Sequence, residues 1–249
     1  MAEQLRTKIN NHEAIVVHIF VPLCDNEHQG IVPVNAELGN GSNLNTNLYW
    51  GARYGIKTFF IKDNSWKYIG AFMKNDTVME RIVFNKKFGG ANVYLIADAY
   101  RGERMKNCLS DFMNSVAQLK FDSLIVHDSL ILRTASSADL LIFNGHNGLM
   151  DTYLDTVINK TGIKKDVAVI GCVSYNYFYE RLNYAGGYPV LTTNYVMAPE
   201  AYCADALISA WIENKSENEI VEEVALAYAN YQKCGLSGAK ALFVSGWRD

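Results

Sequence analysis

The chain has 249 residues, 49% of them hydrophobic and 20% charged, with a formal net charge of −3. That balance belongs to a globular protein with a sizeable core, and it excludes intrinsic disorder, which needs few apolar residues and a high net charge. It also gives no ground for a general affinity for nucleic acid or for anionic membranes.

In chain order, residues 1–13 are polar and mixed in charge, unlike a signal peptide. The first apolar run, 14–23 (AIVVHIFVPL), reads as a strand. Extended to Cys24 it is the longest apolar stretch, far too short to cross a bilayer. An Asn/Gly-rich loop follows, from about 24 to 50. Further strand-like runs are 58–62 (TFFIK), 92–97 (NVYLIA), 139–143 (DLLIF), 166–170 (DVAVI) and 189–193 (PVLTT). Residues 66–88, which include MERIVFNKKF, read as an edge strand or part of a hairpin. Most of the runs are continuous rather than alternating, the pattern of strands buried on both faces of a parallel sheet.

Helical patterns lie between them. Residues 103–119 carry Met105, Cys108, Leu109, Phe112, Met113 and Val116 at helical spacing. A shorter helix is expected within 150–160. Residues 199–214, opening with Pro-Glu, and 217–233 read as two amphipathic helices. Alternating strands and helices imply one α/β domain over residues 1–249, a three-layer α/β/α arrangement around a mostly parallel, Rossmann-like sheet. Ligands and catalytic groups collect outside the carboxyl ends of such strands. The loops to inspect are therefore 24–47, 98–102, 144–148 and 171–178.

Five cysteines occur, at positions 24, 108, 172, 203 and 234, with no pair in CxxC spacing. They read as reduced thiols of a cytoplasmic protein, most of them small buried apolar residues. Cys108, Cys203 and Cys234 fall in helical contexts and are expected to be inert. Cys24 is the rival of Cys172, without a histidine in matching context.

DLLIF runs into Asn144-Gly145-His146-Asn147-Gly148, and DVAVI runs into Gly171-Cys172-Val173-Ser174. Residues 149–165 suffice for one crossover helix, so the two strands can be neighbours with His146 and Cys172 at the same sheet edge. A cysteine beside a histidine is a nucleophile–base pair: the thiolate attacks a carbonyl carbon and the imidazole takes and delivers the proton. The amides near Gly145, Asn147, Gly171 and Cys172 are candidate oxyanion donors. The competing reading is a buried strand-end thiol and a histidine satisfied by the backbone.

The segment ADLLIFNGHNG followed by KKDVAVIGCVS resembles the caspase-like (clan CD) cysteine peptidases, including clostripain-like and CHAT-type members. The resemblance implies a caspase-like sheet, a catalytic dyad of His146 and Cys172, no metal in the reaction, and cleavage of peptide bonds chosen by the P1 side chain. The strand PVLTTN and the helix after it look like the segment that follows the nucleophile strand in CHAT-type members. The chain departs from the pattern at Asn147, where the family has glycine, and lacks the caspase Q-A-C-x-G signature.

By the same analogy the loop after the first strand contributes to the specificity pocket. Asp25 would face a basic P1 residue, with Asn26, Tyr49 and Trp50 lining the groove and Ser174 also contacting substrate. The alternative makes the Asp and Asn residues turn-formers and puts Trp50 in the core. Residues 39–43 (GNGSN) also permit an anion-binding turn, but match no nucleotide motif.

Among the remaining residues, His28 reads as a solvated loop residue, with a second site histidine as the alternative, His18 and His127 as structural histidines, and Asp98 with Arg101 as a structural or substrate-orienting pair. Glu200 and Asp205 open a helix, where carboxylates are favoured. No metal and no cofactor are expected.

The leading expectation is a cysteine endopeptidase or related amide hydrolase acting on a peptide or protein. The alternatives are a non-catalytic peptide- or small-molecule-binding module and a nucleotide- or phosphate-binding protein.

Overall fold

The computed structural model describes residues 2–126 and 130–248. Its centre is an eight-stranded sheet in the order β10-β9-β8-β7-β1-β4-β3-β2. The strands are β1 (Ile15–Pro22), β2 (Lys67–Phe72), β3 (Val78–Phe88), β4 (Ala91–Tyr100), β7 (Leu140–Asn144), β8 (Lys165–Ile170), β9 (Gly187–Thr193) and β10 (Phe243–Val244). A separate hairpin pairs β5 (Phe121–Val126) with β6 (Leu130–Ala135).

Strands β9, β8, β7, β1 and β4 run parallel. Strands β3, β2 and β10 are added antiparallel at the two edges. In the parallel strands successive residues enter opposite layers. Leu140 and Ile142 join one core with Ala168 and Ile170, while Leu141 and Phe143 join the other with Val167 and Val169. Burial on both faces explains why these strands read as unbroken apolar runs.

The first layer holds α1 (Ala2–Asn10), α2 (Ile56–Lys62), α5 (Ala201–Ile212), α6 (Glu217–Gln232) and α7 (Leu236–Leu242). The second holds α3 (Met105–Val116), α4 (Ser174–Ala185) and the β5–β6 hairpin. The result is a three-layer α/β/α fold. Among the described residues no helix is long and apolar enough to cross a membrane.

Two expected elements take other forms. Residues 58–62 lie in helix α2, not in a strand. Ile56 and Phe60 are both buried, one helical turn apart, while Thr58 hydroxyl donates to Gly51 O at 2.7 Å. Residues 150–160 form no α-helix; a 3-10 turn over Gly148–Met150 leads into irregular chain. There Asn159 bonds its own neighbourhood, accepting from Thr161 N (2.8 Å) and donating to Ile163 O (2.6 Å), which competes with helix formation. The covering helix comes later, as α4. His127 lies outside the described residues.

Strand β1 sits between β4 and β7, so the chain leaves it in one direction and returns on its other side. This is the reversal point at which open α/β sheets form a crevice. The loops after β1, β7, β8 and β9 converge there.

Candidate active site

The pairing of β7 with β8 runs from Leu140↔Asp166 to Asn144↔Ile170. Each pair differs by about 26 positions, as do His146 and Cys172, and each of those two stands two residues past its strand's last pair. Three contacts extend this relation beyond the sheet. Gly145 N–H donates to Ile170 O at 3.1 Å, and Asn147 Nδ2 donates to Cys172 O at 2.8 Å. The third is steric: a Cβ on Gly171 would lie 2.6 Å from Gly145 O, so only glycine lets the loops close this tightly.

His146 is buried, and its Nε2 lies 3.1 and 3.2 Å from the two carboxylate oxygens of Asp151. A carboxylate ion only accepts, so in the neutral imidazole this contact is made by the tautomer with the proton on Nε2 and the lone pair on Nδ1. Asp151 Oδ2 also accepts from Gly30 N–H in the loop after β1. One side chain thus bridges the loops on either side of the reversal point. Sequence reasoning did not single out Asp151, because its contact arises from the chain folding back through a 3-10 turn.

Cys172 is half-buried, in the turn between β8 and α4. Val173 after it adopts a left-handed conformation (φ +51°), a rare state for a β-branched residue. Its N–H donates to Tyr195 O at 3.0 Å. The Cys172 sulfur lies between Met197 N–H (3.4 Å) and Met197 O (3.5 Å). His146 and Cys172 are therefore on adjoining loops, each held by a different group, with no hydrogen bond between them.

The other expected site residues divide. Gly145 has its N–H committed to Ile170, which removes that amide from an oxyanion role. Asn147 N lies 3.6 Å from where a Gly171 Cβ would stand, so this amide faces the Cys172 turn. Tyr49 is buried against the Cys24 thiol, and burial pushes its phenol well above the usual range. Ser174 is buried, donating to Val169 O at 2.7 Å and accepting from Thr193 N at 2.9 Å, so it builds the turn rather than a surface.

Asp25, Asn26 and Trp50 are engaged internally. Asp25 Oδ1 accepts from Glu27 N (2.9 Å) and His28 N (3.2 Å), and Oδ2 pairs with His28 Nδ1 (2.9 Å). Its side chain is walled by Gly41 and Gly102. Asn26 bonds both the N–H and the carbonyl of Val34. Trp50 is fully buried and donates to Glu80 at 2.7 Å. The turn-forming reading of these residues therefore describes their contacts better than the pocket reading.

The same economy shapes the rest of this loop. Asn40 accepts from Ser42 N, and Asn43 from Asn45 N, both at 2.9 Å. Amides around GNGSN are thus covered by their own side chains, which weakens an anion-binding role. Asn47, not flagged in the sequence, is the anchor: its side chain bonds both Cys24 N (3.0 Å) and Cys24 O (2.8 Å).

The cysteines separate by burial. Burial pushes the Cys24 thiol up to about 11, against the opposing effect of Tyr49, and Cys108 and Cys203 also rise. Cys234 is exposed just past α6 rather than within a helix.

Asp98 pairs with Arg81 (2.6 Å) and His18 (3.1 Å), while Arg101 donates to Ser42 Oγ (2.9 Å). Asp98 and Arg101 are thus not partners. Glu200 accepts from Tyr202 and Asp205 from Trp66, so both serve packing. Among the described residues no His, Cys, Asp and Glu side chains group as a metal-ligand set.

Large apolar side chains stand exposed around the two loops: Met150 and Tyr153 on the His146 segment, Tyr195 and Val196 on the segment that holds Cys172. Compared with known protein families, curated proteins and solved structures, the chain gives no match.

Proposed function

We propose that the protein is a cysteine endopeptidase or related amide hydrolase, with Cys172 as nucleophile and His146 as base. The observation that carries this reading is the shared register of the two residues at adjacent strand ends, with the imidazole Nε2 already engaged by a carboxylate. In the reaction Cys172 Sγ gives its proton to His146 Nδ1 and bonds the amide carbon. Collapse of the tetrahedral intermediate breaks the C–N bond, and the imidazolium protonates the departing amine. Water then attacks the thioester, releasing the acid and restoring the thiol. The Asn147 and Cys172 amides are the oxyanion donors in this scheme.

Substrate, in this reading, is a peptide with apolar side chains near the scissile bond, facing Met150, Tyr153, Tyr195 and Val196. A basic P1 preference through Asp25 loses support, since His28 and two amides fill that carboxylate. A fluorogenic peptide library tests the proposal. Wild-type protein is expected to release the amine from a subset, and Cys172→Ala to release none. Turnover by Cys172→Ala equal to wild type would reject it.

A second reading, a non-catalytic peptide-binding module, draws on the Cys172 sulfur resting against Met197 rather than His146. It predicts peptide binding that is unchanged in Cys172→Ala, with no turnover by either protein.

A further inference from the structure

We propose that Asp151 is the positioning residue of the dyad, and that the loop after β1 holds it in place through Gly30. This rests on the proposed roles of His146 and Cys172 and adds a third group to them.

A dyad needs one particular imidazole nitrogen to be free. Neutral histidine exchanges its proton between two nitrogens, and only the Nε2–H form leaves Nδ1 able to accept the thiol proton. Asp151 selects that form by accepting from Nε2 at 3.1 and 3.2 Å through its two oxygens. It also stabilises the imidazolium that forms when the thiol is deprotonated, as an orienting carboxylate does in other hydrolytic triads.

Nothing in the segment around Asp151 is rigid by secondary structure, since it follows a 3-10 turn and precedes irregular chain. Its carboxylate needs a second fixed point. Gly30 N–H supplies it, and a Cβ on Gly30 would stand 2.9 Å from Asp151 Oδ2, so the absence of a side chain there lets the carboxylate approach this amide without shifting. Gly30 in turn follows Gln29, which donates to Leu23 O (2.8 Å) and accepts from Asp25 N (3.2 Å). The internal bonds of the Asn/Gly-rich loop thereby set the place of the base. On this account the loop's internally satisfied polar groups act through Asp151 rather than by touching substrate.

The test compares Asp151→Ala, Asp151→Asn and Asp151→Glu with wild type. Nitrogen-15 spectra of the His146 imidazole at neutral pH are expected to show Nε2 protonated in wild type and an averaged mixture of both forms in Asp151→Ala. On a peptide that wild type cleaves, kcat is expected to fall roughly 10²-fold or more in Asp151→Ala and Asp151→Asn, with KM changed less than about twofold. Asp151→Glu is expected to recover part of the loss. Thermal unfolding of each variant shows that the fold is kept.

A single Nε2–H form that persists in Asp151→Ala would overturn the proposal, as would an unchanged kcat. The spectra do not depend on turnover. A failed dyad with a carboxylate-dependent imidazole is therefore distinguishable from a sound dyad without a role for Asp151.

Discussion

His146 and Cys172 occupy the same register position on neighbouring parallel strands, each two residues beyond the last pair, Asn144↔Ile170. Asn147 fastens the relation, donating to Cys172 O at 2.8 Å and accepting from Leu149 N at 3.2 Å. Asn147 is fully buried, so Asn147→Ala removes two bonds and leaves Cys172 O without that donor. A loss of about 1–3 kcal/mol in unfolding free energy is expected. Urea titration measures it, and a midpoint equal to wild type would contradict this role.

Gly171→Ala tests how closely the two loops must approach. The added Cβ would meet Gly145 O at 2.6 Å, and backbone cannot move aside as a flexible side chain can. A destabilisation of about 1–3 kcal/mol is expected, as for overpacking in a core. Hydrolysis should fall with it, because the loops bearing His146 and Cys172 are forced apart. A variant with wild-type melting temperature and turnover would show that the contact is slack.

The buried cluster of His18, Asp98 and Arg81 gives a pH dependence whose sign follows from burial. His18 accepts from Ala135 N (3.1 Å) and donates from Nε2 to Asp98, and burial lowers its affinity for a second proton. As pH falls below about 6.5, unfolded chain gains a proton that folded His18 resists, so stability falls. Asp98 is held low by Arg81 and His18 in spite of burial. Its stabilising contribution is present above about pH 4 and lost below it. Exposed His28 acts oppositely, its pKa raised by Asp25, so its contribution is present at low pH and fades as pH rises. Burial raises Asp166, Glu200 and Asp205, which act in the opposite sense, so the test compares variants. On going from pH 7.5 to pH 5.5 the urea midpoint of His28→Ala is expected to change less favourably than that of the double variant His18→Asn, His28→Ala, and an equal pH dependence in the two would contradict the buried assignment of His18.

Thiol counting separates the cysteines. Cys172 and Cys234 are accessible, whereas Cys24, Cys108 and Cys203 are buried. A disulfide reagent is expected to find two of the five thiols in native protein and all five in denaturant, with Cys172→Ala and Cys234→Ser each lowering the native count by one. Rapid native reaction of a third thiol would contradict the burial.

The sheet was legible because its parallel strands are buried on both sides, which leaves an unbroken apolar signature in each. Short segments were not. TFFIK is apolar enough for a strand, yet one helical turn separates Ile56 from Phe60, and five residues cannot distinguish the two periods. Helix α4 was hidden by its tyrosines: Phe178, Leu182 and Ala185 are the only apolar members of the buried stripe within SYNYFYERLNYA. At the site, the strand ends and their glycines were visible as local pattern. Asp151 was not, since it reaches His146 through a turn and Gly30 through a contact across the sheet edge. Asp25 carried the opposite difficulty: a carboxylate in a Gly/Asn loop looks available until its turn partners are known.

The dyad itself is tested most directly by covalent trapping. A peptide bearing an electrophilic carbonyl in place of the scissile amide is offered to wild type and to His146→Ala, both in a Cys234→Ser background. The account predicts one adduct, mapped by mass spectrometry to Cys172, formed at least roughly 10²-fold more slowly without the imidazole. An adduct on another cysteine, or a Cys172 adduct that forms equally fast in His146→Ala, would contradict it.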